Sequence, residues 1–202
     1  MACWDINGKA LDQPIYNLLG GKYHETLRSY TYLYPDPNDK SRRSPFTDPE
    51  KAAESAKAHS DQGFTAIKFD PLIDVMGKED PRETPIDRLQ NGENVVRAVR
   101  EAVGSSCDIL IGTHGQTTTS SALRFARRIE EFDPLWFEEP VPPENVDEMS
   151  KIANRTTIPV ATGERLSTKY EFRLLLEKQA AAILQMALGR VGGILEAKKI
   201  AG

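Results

Sequence analysis

Charged and imidazole side chains recur at the ends of short apolar runs, in Lys68-Phe69-Asp70, Gly112-Thr113-His114-Gly115-Gln116, Glu138-Glu139-Pro140 and Thr162-Gly163-Glu164-Arg165. Such groups are costly at the tips of apolar strands unless they are paired or bound to a metal. Side chains alternate along a strand, so Glu138 and Glu139 cannot both face one side. Glu164, 26 residues past Glu138, is placed to bring a second carboxylate to the one that faces inward. Hard carboxylate oxygens in such a pair suit Mg²⁺, which takes one or two protein carboxylates and fills its remaining positions with water or substrate oxygens. The competing reading is a structural ion pair with Arg165 or Lys68. Lys68, among apolar neighbours and near this acidic cluster, serves either as a base or as an ammonium that holds a substrate carboxylate. His114 is one of three histidines, with His24 in an early loop and His59 on an amphipathic segment. A lone histidine is often structural, but the Gly-Thr-His-Gly turn leaves this imidazole open to a pocket and marks it for proton transfer.

The elements that must position these groups are an alternation of apolar runs with amphipathic ones, the pattern of parallel strands joined by crossover helices. Six strands are predicted at Leu27–Tyr34, Ala66–Phe69, Ile109–Gly112, Leu135–Phe137, Ile158–Ala161 and Ala182–Met186. Helices are predicted over Pro49–Asp61, behind a Thr47-Asp48-Pro49-Glu50 capping signal, and near Glu93–Val103, Ser120–Glu131, Asn145–Asn154 and Lys169–Lys178, with a last one from Gly192. Strand starts spaced by 26, 23 and 24 residues favour an α/β barrel over an open doubly wound sheet, although both give a similar string. Eight strands close such a barrel, so six predict an incomplete one. Met1–Leu19 reads as helix-like up to Gly20-Gly21. The long stretch Pro71–Gly92, with the charged run Lys78-Glu79-Asp80, reads as an irregular loop following a strand, either a lid or an inert insertion.

Composition narrows the partners. A formal net charge of −4 provides no basic excess for nucleic acid or an anionic membrane. No apolar run approaches the ~18 residues of a transmembrane helix, and Met1 is not followed by a signal-like segment. Cys3 and Cys107 lie far apart without CxxC spacing, which fits a reducing, cytoplasmic setting.

The motifs Ala66-Ile67-Lys68-Phe69-Asp70-Pro71, Trp136-Phe137-Glu138-Glu139-Pro140, Ile158-Pro159-Val160-Ala161-Thr162-Gly163-Glu164 and Gly189-Arg190-Val191-Gly192-Gly193 resemble the enolase superfamily, in its mandelate racemase and muconate lactonising branch. The opening Cys3-Trp4-Asp5-Ile6 and Tyr16-Asn17-Leu18-Leu19-Gly20-Gly21 look like the segment that joins that family's capping domain to its barrel. The resemblance implies residues 1–26 as a helical linker and 27–202 as an incomplete (β/α)7β barrel lacking its capping domain and last strands. It also implies a Mg²⁺ site held by strand-tip carboxylates that stabilises an enediolate formed next to a substrate carboxylate. By position, Glu138 and Glu164 match the second and third metal ligands, Lys68 the first lysine of a Lys-x-Lys motif, and His114 the proton-transfer histidine of sugar-acid dehydratases. Asp70, Gln116 and Glu139 are expected to contact substrate.

Three positions depart from the pattern. Gly112 stands where the first metal-ligating aspartate is expected, leaving His114, Gln116 or water to complete the shell. Asp70 stands at the second lysine, and Ala187 at the aspartate of an Asp-His pair whose histidine would lie past Gly202. These departures favour dehydration of a sugar acid, with a racemase or cycloisomerase as the alternative. A further alternative is a non-catalytic truncated chain that persists by association; impaired activity is expected of the chain by itself, and homo-oligomers of the parent family.

Overall fold

The computed structural model describes residues 1–38, 44–73 and 83–202. Six parallel strands run through it: β1 (Thr31–Tyr32), β2 (Ala66–Phe69), β3 (Asp108–Gly112), β4 (Trp136–Glu138), β5 (Val160–Thr162) and β6 (Ile183–Leu184). They form one sheet in chain order. That order is the wall of a β/α barrel; a doubly wound sheet would reverse direction at a switch point. The α/β fold expected from strand spacing is therefore present as a partial barrel.

Helices α1 (Ala2–Ala10) and α2 (Ile15–Leu18) precede the sheet, separated at Pro14, where the backbone is extended. The crossovers are α3 (Pro49–Asp61), α4 (Ile86–Val103), α5 (Thr119–Ile129), α6 (Val146–Ala153) and α7 (Lys169–Glu177), and α8 (Ile194–Ala201) follows β6. Their starts are capped as short polar residues dictate. Asp48 accepts from the Lys51 amide with Pro49 in the first turn. Thr118 and Asn145 cap α5 and α6, and Thr168 forms a reciprocal capping box with Glu171.

Two expectations change. The first strand shrinks to Thr31–Tyr32, because the chain before it is held by a side chain instead of a backbone ladder. Arg28 donates to the Thr65 hydroxyl at 2.9 Å and pairs with Asp108 at 2.7 Å. The irregular stretch Pro71–Gly92 is also shorter than expected, since α4 begins at Ile86. Leu89, Gly92, Val95, Val96, Val99 and Val103 form one buried stripe, so the helical face extends a full two turns before Glu93. Lys78-Glu79-Asp80, the core of the candidate lid, lies outside the described residues.

The helix-facing side of the sheet carries Ile67, Phe69, Ile109, Ile111, Phe137 and Val160, all in one apolar core with Val95, Val96, Val99, Phe125, Ile129, Met149 and Phe172 of the helices. Alternation then assigns the intervening residues to the opposite face. No helix among the described residues is long and apolar enough to cross a membrane. Cys3 is exposed and Cys107 buried, both as free thiols.

Candidate functional site at the strand ends

Register builds the site. Lys68 lies beside Leu110, Leu110 beside Trp136, and Gly112 beside Glu138, which itself neighbours Ala161. Glycine and alanine flanking Glu138 leave room over the sheet for the two long side chains that meet there. Lys68 Nζ reaches Glu138 Oε1 at 2.5 Å, with both side chains almost wholly buried. Glu138 Oε2 accepts from Trp136 Nε1 at 3.0 Å and from Gln185 Nε2 at 2.9 Å. The carboxylate is thereby fixed by β2, by its own strand and by the segment after β6.

Next to this pair stands a second cluster. Asp70, 1% exposed, follows β2. Its Oδ2 accepts from the Tyr32 hydroxyl at 2.5 Å and lies 2.9 Å from His114 Nδ1, at an angle bent away from a linear hydrogen bond. Its Oδ1 is buried without a hydrogen-bond partner among the described residues. That oxygen occupies the volume that a side chain at 112 would need: a Cβ on Gly112 would sit 2.0 Å from it. The contact with Asp70 raises the His114 pKa above the ordinary histidine value, outweighing the desolvation that lowers it. Burial, then the hydrogen bond to Asp70, push the Tyr32 hydroxyl far above the usual phenol range, so it remains a donor.

Glu139 points to the other side, as alternation requires, and is fully buried. Its Oε2 accepts from Arg165 Nε at 2.8 Å and its Oε1 from the Thr162 hydroxyl at 3.3 Å. Burial pushes this carboxyl up and Arg165 draws it partly back. Arg165 also donates to the His114 carbonyl at 3.1 Å, and a Cβ on Gly115 would lie 2.0 Å from its guanidinium. Gly112 and Gly115 thus each vacate space for a charged side chain from another strand end. His114 and Glu139 both have left-handed backbone, at φ 49° and 43°, a conformation that costs ordinary residues energy and gathers at functional sites. Gln116 donates to the His114 carbonyl at 3.1 Å, fastening the same turn from inside.

Glu164, after β5, is partly exposed and adds its negative charge to the surroundings of both Glu139 and His114. Among the described residues, the strand ends thus bring four carboxylates, Asp70, Glu138, Glu139 and Glu164, against two basic side chains, Lys68 and Arg165, of which Arg165 is taken up by Glu139 on the other side. That excess of hard oxygen donors, with one buried oxygen unanswered, has the chemistry of a site for a cation such as Mg²⁺. No three acidic, histidine or cysteine side chains among the described residues are already gathered around one point.

Both ion pairs named as the competing reading are formed, Lys68 with Glu138 and Arg165 with Glu139. The structure brings Lys68 to Glu138, and Asp70 to His114. Glu139 is turned into the protein. Tyr32, Trp136 and Gln185 were not singled out from sequence, although Tyr32 and Gln185 obey the same strand-end rule, applied to β1 and β6.

Residues 51–202 match the family model described as Enolase C-terminal domain-like. The D-xylonate dehydratase of Haloferax volcanii is 39% identical over 208 residues, covering 100% of this chain and 48% of that protein. The D-gluconate/D-galactonate dehydratase of Picrophilus torridus is 35% identical over 203 residues, covering 99% and 48%. A crystal structure of mandelate racemase/muconate lactonizing enzyme from Sulfitobacter sp. superposes with a TM-score of 0.92 at 50% identity, over 99% of this chain and 50% of that one. The chain spans about half the length of the curated relatives it matches. Strand order, strand-end chemistry and a match running from α3 to α8 agree, and the chain belongs to the Enolase C-terminal domain-like family, among the mandelate racemase and muconate lactonizing enzymes of the enolase superfamily.

Proposed function

We propose that this chain carries catalytic groups of a sugar-acid dehydratase, acting on a small carboxylate substrate. The observation that carries the reading is the pairing at one strand-end rim of a buried Lys68–Glu138 ion pair with an Asp70-contacted imidazole. The names of the curated relatives support the substrate class. Residues 1–26 are read as the linker to a capping unit and 27–202 as barrel.

With Nδ1 turned towards Asp70, Nε2 is the His114 nitrogen left to exchange a proton with substrate. Neutral Nε2 takes the proton on the carbon next to the substrate carboxylate. The electron pair left behind forms the new double bond as the C–O bond to the β-hydroxyl breaks. His114 returns its proton to the departing oxygen, water leaves, and the enol becomes a 2-keto-3-deoxy acid. Lys68, oriented by its ion pair with Glu138, places positive charge where the substrate carboxylate gains electron density. Glu138 and Glu164 would hold Mg²⁺, which when bound supplies further positive charge against that developing anion. Gln116 borders the same turn and limits which hydroxyls fit.

The test combines the chain with Mg²⁺ and D-xylonate, D-gluconate or D-galactonate in D₂O, followed by NMR. Formation of a 2-keto-3-deoxy acid, abolished in His114→Asn and reduced about 100-fold or more in Lys68→Met, is expected. Deuterium entering at C2 without loss of water points to the racemase alternative. If neither product nor exchange is seen with any of the three acids, the dehydratase reading is wrong for this chain.

A further inference from the structure

Gly112 and Asp70 are a matched pair. The Asp70 carboxylate reaches its position only because residue 112 has no side chain: a Cβ there would stand 2.0 Å from Oδ1 and 3.1 Å from Cγ. Once in that space the carboxylate has, among the described residues, two polar side-chain contacts, both on Oδ2, the Tyr32 hydroxyl at 2.5 Å and His114 Nδ1 at 2.9 Å. Tyr32 is set by its place in β1 opposite Lys68 and donates to the same carboxylate oxygen that meets the imidazole. His114 stands on a left-handed turn whose carbonyl is held by both Arg165 and Gln116. Its backbone is thus clamped from β5, and its ring nitrogen is buried against a carboxylate from β2. A histidine that were merely filling a core would need neither restraint.

We propose that Asp70 is a positioning residue for His114, held by Tyr32 and admitted by the absence of a side chain at Gly112, and that it fixes which ring nitrogen faces the substrate. This rests on the dehydratase reading for its catalytic consequence but not for its structural one. Asp70 then has no direct contact with substrate. An Nδ1–H shared with the carboxylate keeps Nε2 bare and aimed at the reacting carbon, as a second carboxylate does for histidines in other acid-base sites.

The experiment is ¹⁵N NMR of the histidine-labelled chain, at a pH where His114 is neutral, with its signals assigned by loss in His114→Asn. The Nδ1–H tautomer is expected to predominate. It becomes the minority form in Asp70→Asn, and again in Gly112→Ala, which alters neither partner but takes the carboxylate's space. Circular dichroism checks that each variant is folded; if Gly112→Ala is not, Asp70→Asn alone decides. In the sugar-acid assay Asp70→Asn is expected to lower kcat about 100-fold at nearly unchanged KM. An unchanged tautomer in folded Asp70→Asn overturns the proposal, whatever the activity. A raised KM with kcat and tautomer unchanged makes Asp70 a substrate contact, and overturns it too. A tautomer shift in a chain that turns over none of the three acids sustains the positioning role and sinks only the dehydratase reading.

Discussion

At the scale of single residues, the site is a contest between burial and pairing. His114 gains a carboxylate partner on folding, so its folded-state pKa lies above the unfolded value of about 6.5. A raised value means the contact stabilises fully below the unfolded pKa and ceases to do so as pH rises through the folded one. Between pH 6 and pH 8 the wild type is therefore expected to lose more Tm than His114→Gln, measured by thermal melts in matched salt. Equal losses would show that the contact contributes nothing to stability. Lys68, His114, Glu138 and Glu164 could be read from sequence because polar residues ending apolar runs stand out in one dimension. The Tyr32–Asp70–Gly112 arrangement could not. Its logic lies in the volume that a missing side chain leaves above a neighbouring strand, and nothing in the spacing of 32, 70 and 112 states that they meet.

At the scale of elements, the strands, crossover helices and their caps were legible because alternation, helical periodicity and capping residues are local signals. The start of α4 was obscured by Gly92, which reads as a break in sequence. In the fold it is a contact: a Cβ there would lie 2.9 Å from both Leu72 and Phe125 and 3.2 Å from the Pro71 carbonyl. The helix keeps a poor helix former so that the chain leaving β2 can cross it closely. Gly92→Ala sets the two effects against each other. Alanine recovers up to about 1 kcal/mol of helix propensity, while overpacking costs about 1–3 kcal/mol. Net destabilisation of up to about 2 kcal/mol is expected in urea titrations, and a more stable variant would show that Leu72 and Phe125 yield freely.

At the scale of the whole molecule, six strands make a wall and not a closed cylinder. Among the described residues the outer edges of β1 and β6 have no strand partner, and such edges recruit other chains. Light scattering coupled to size exclusion is expected to show species heavier than the 22.5 kDa of one chain, growing with concentration. A strictly monomeric profile would mean that short strands and flanking loops shield these edges. The consecutive strand order has a consequence for how the chain is made. From β2 to β6 each strand pairs with the one synthesised just before it, so each of these β/α units finds its docking surface already made as it leaves the ribosome, and growth can proceed from β1 onward without waiting for a distant partner. The rim is therefore also assembled in sequence. Tyr32 and Asp70 emerge before Gly112 and His114, so the carboxylate and its hydroxyl donor are both made before the strand whose glycine admits it and the imidazole it meets.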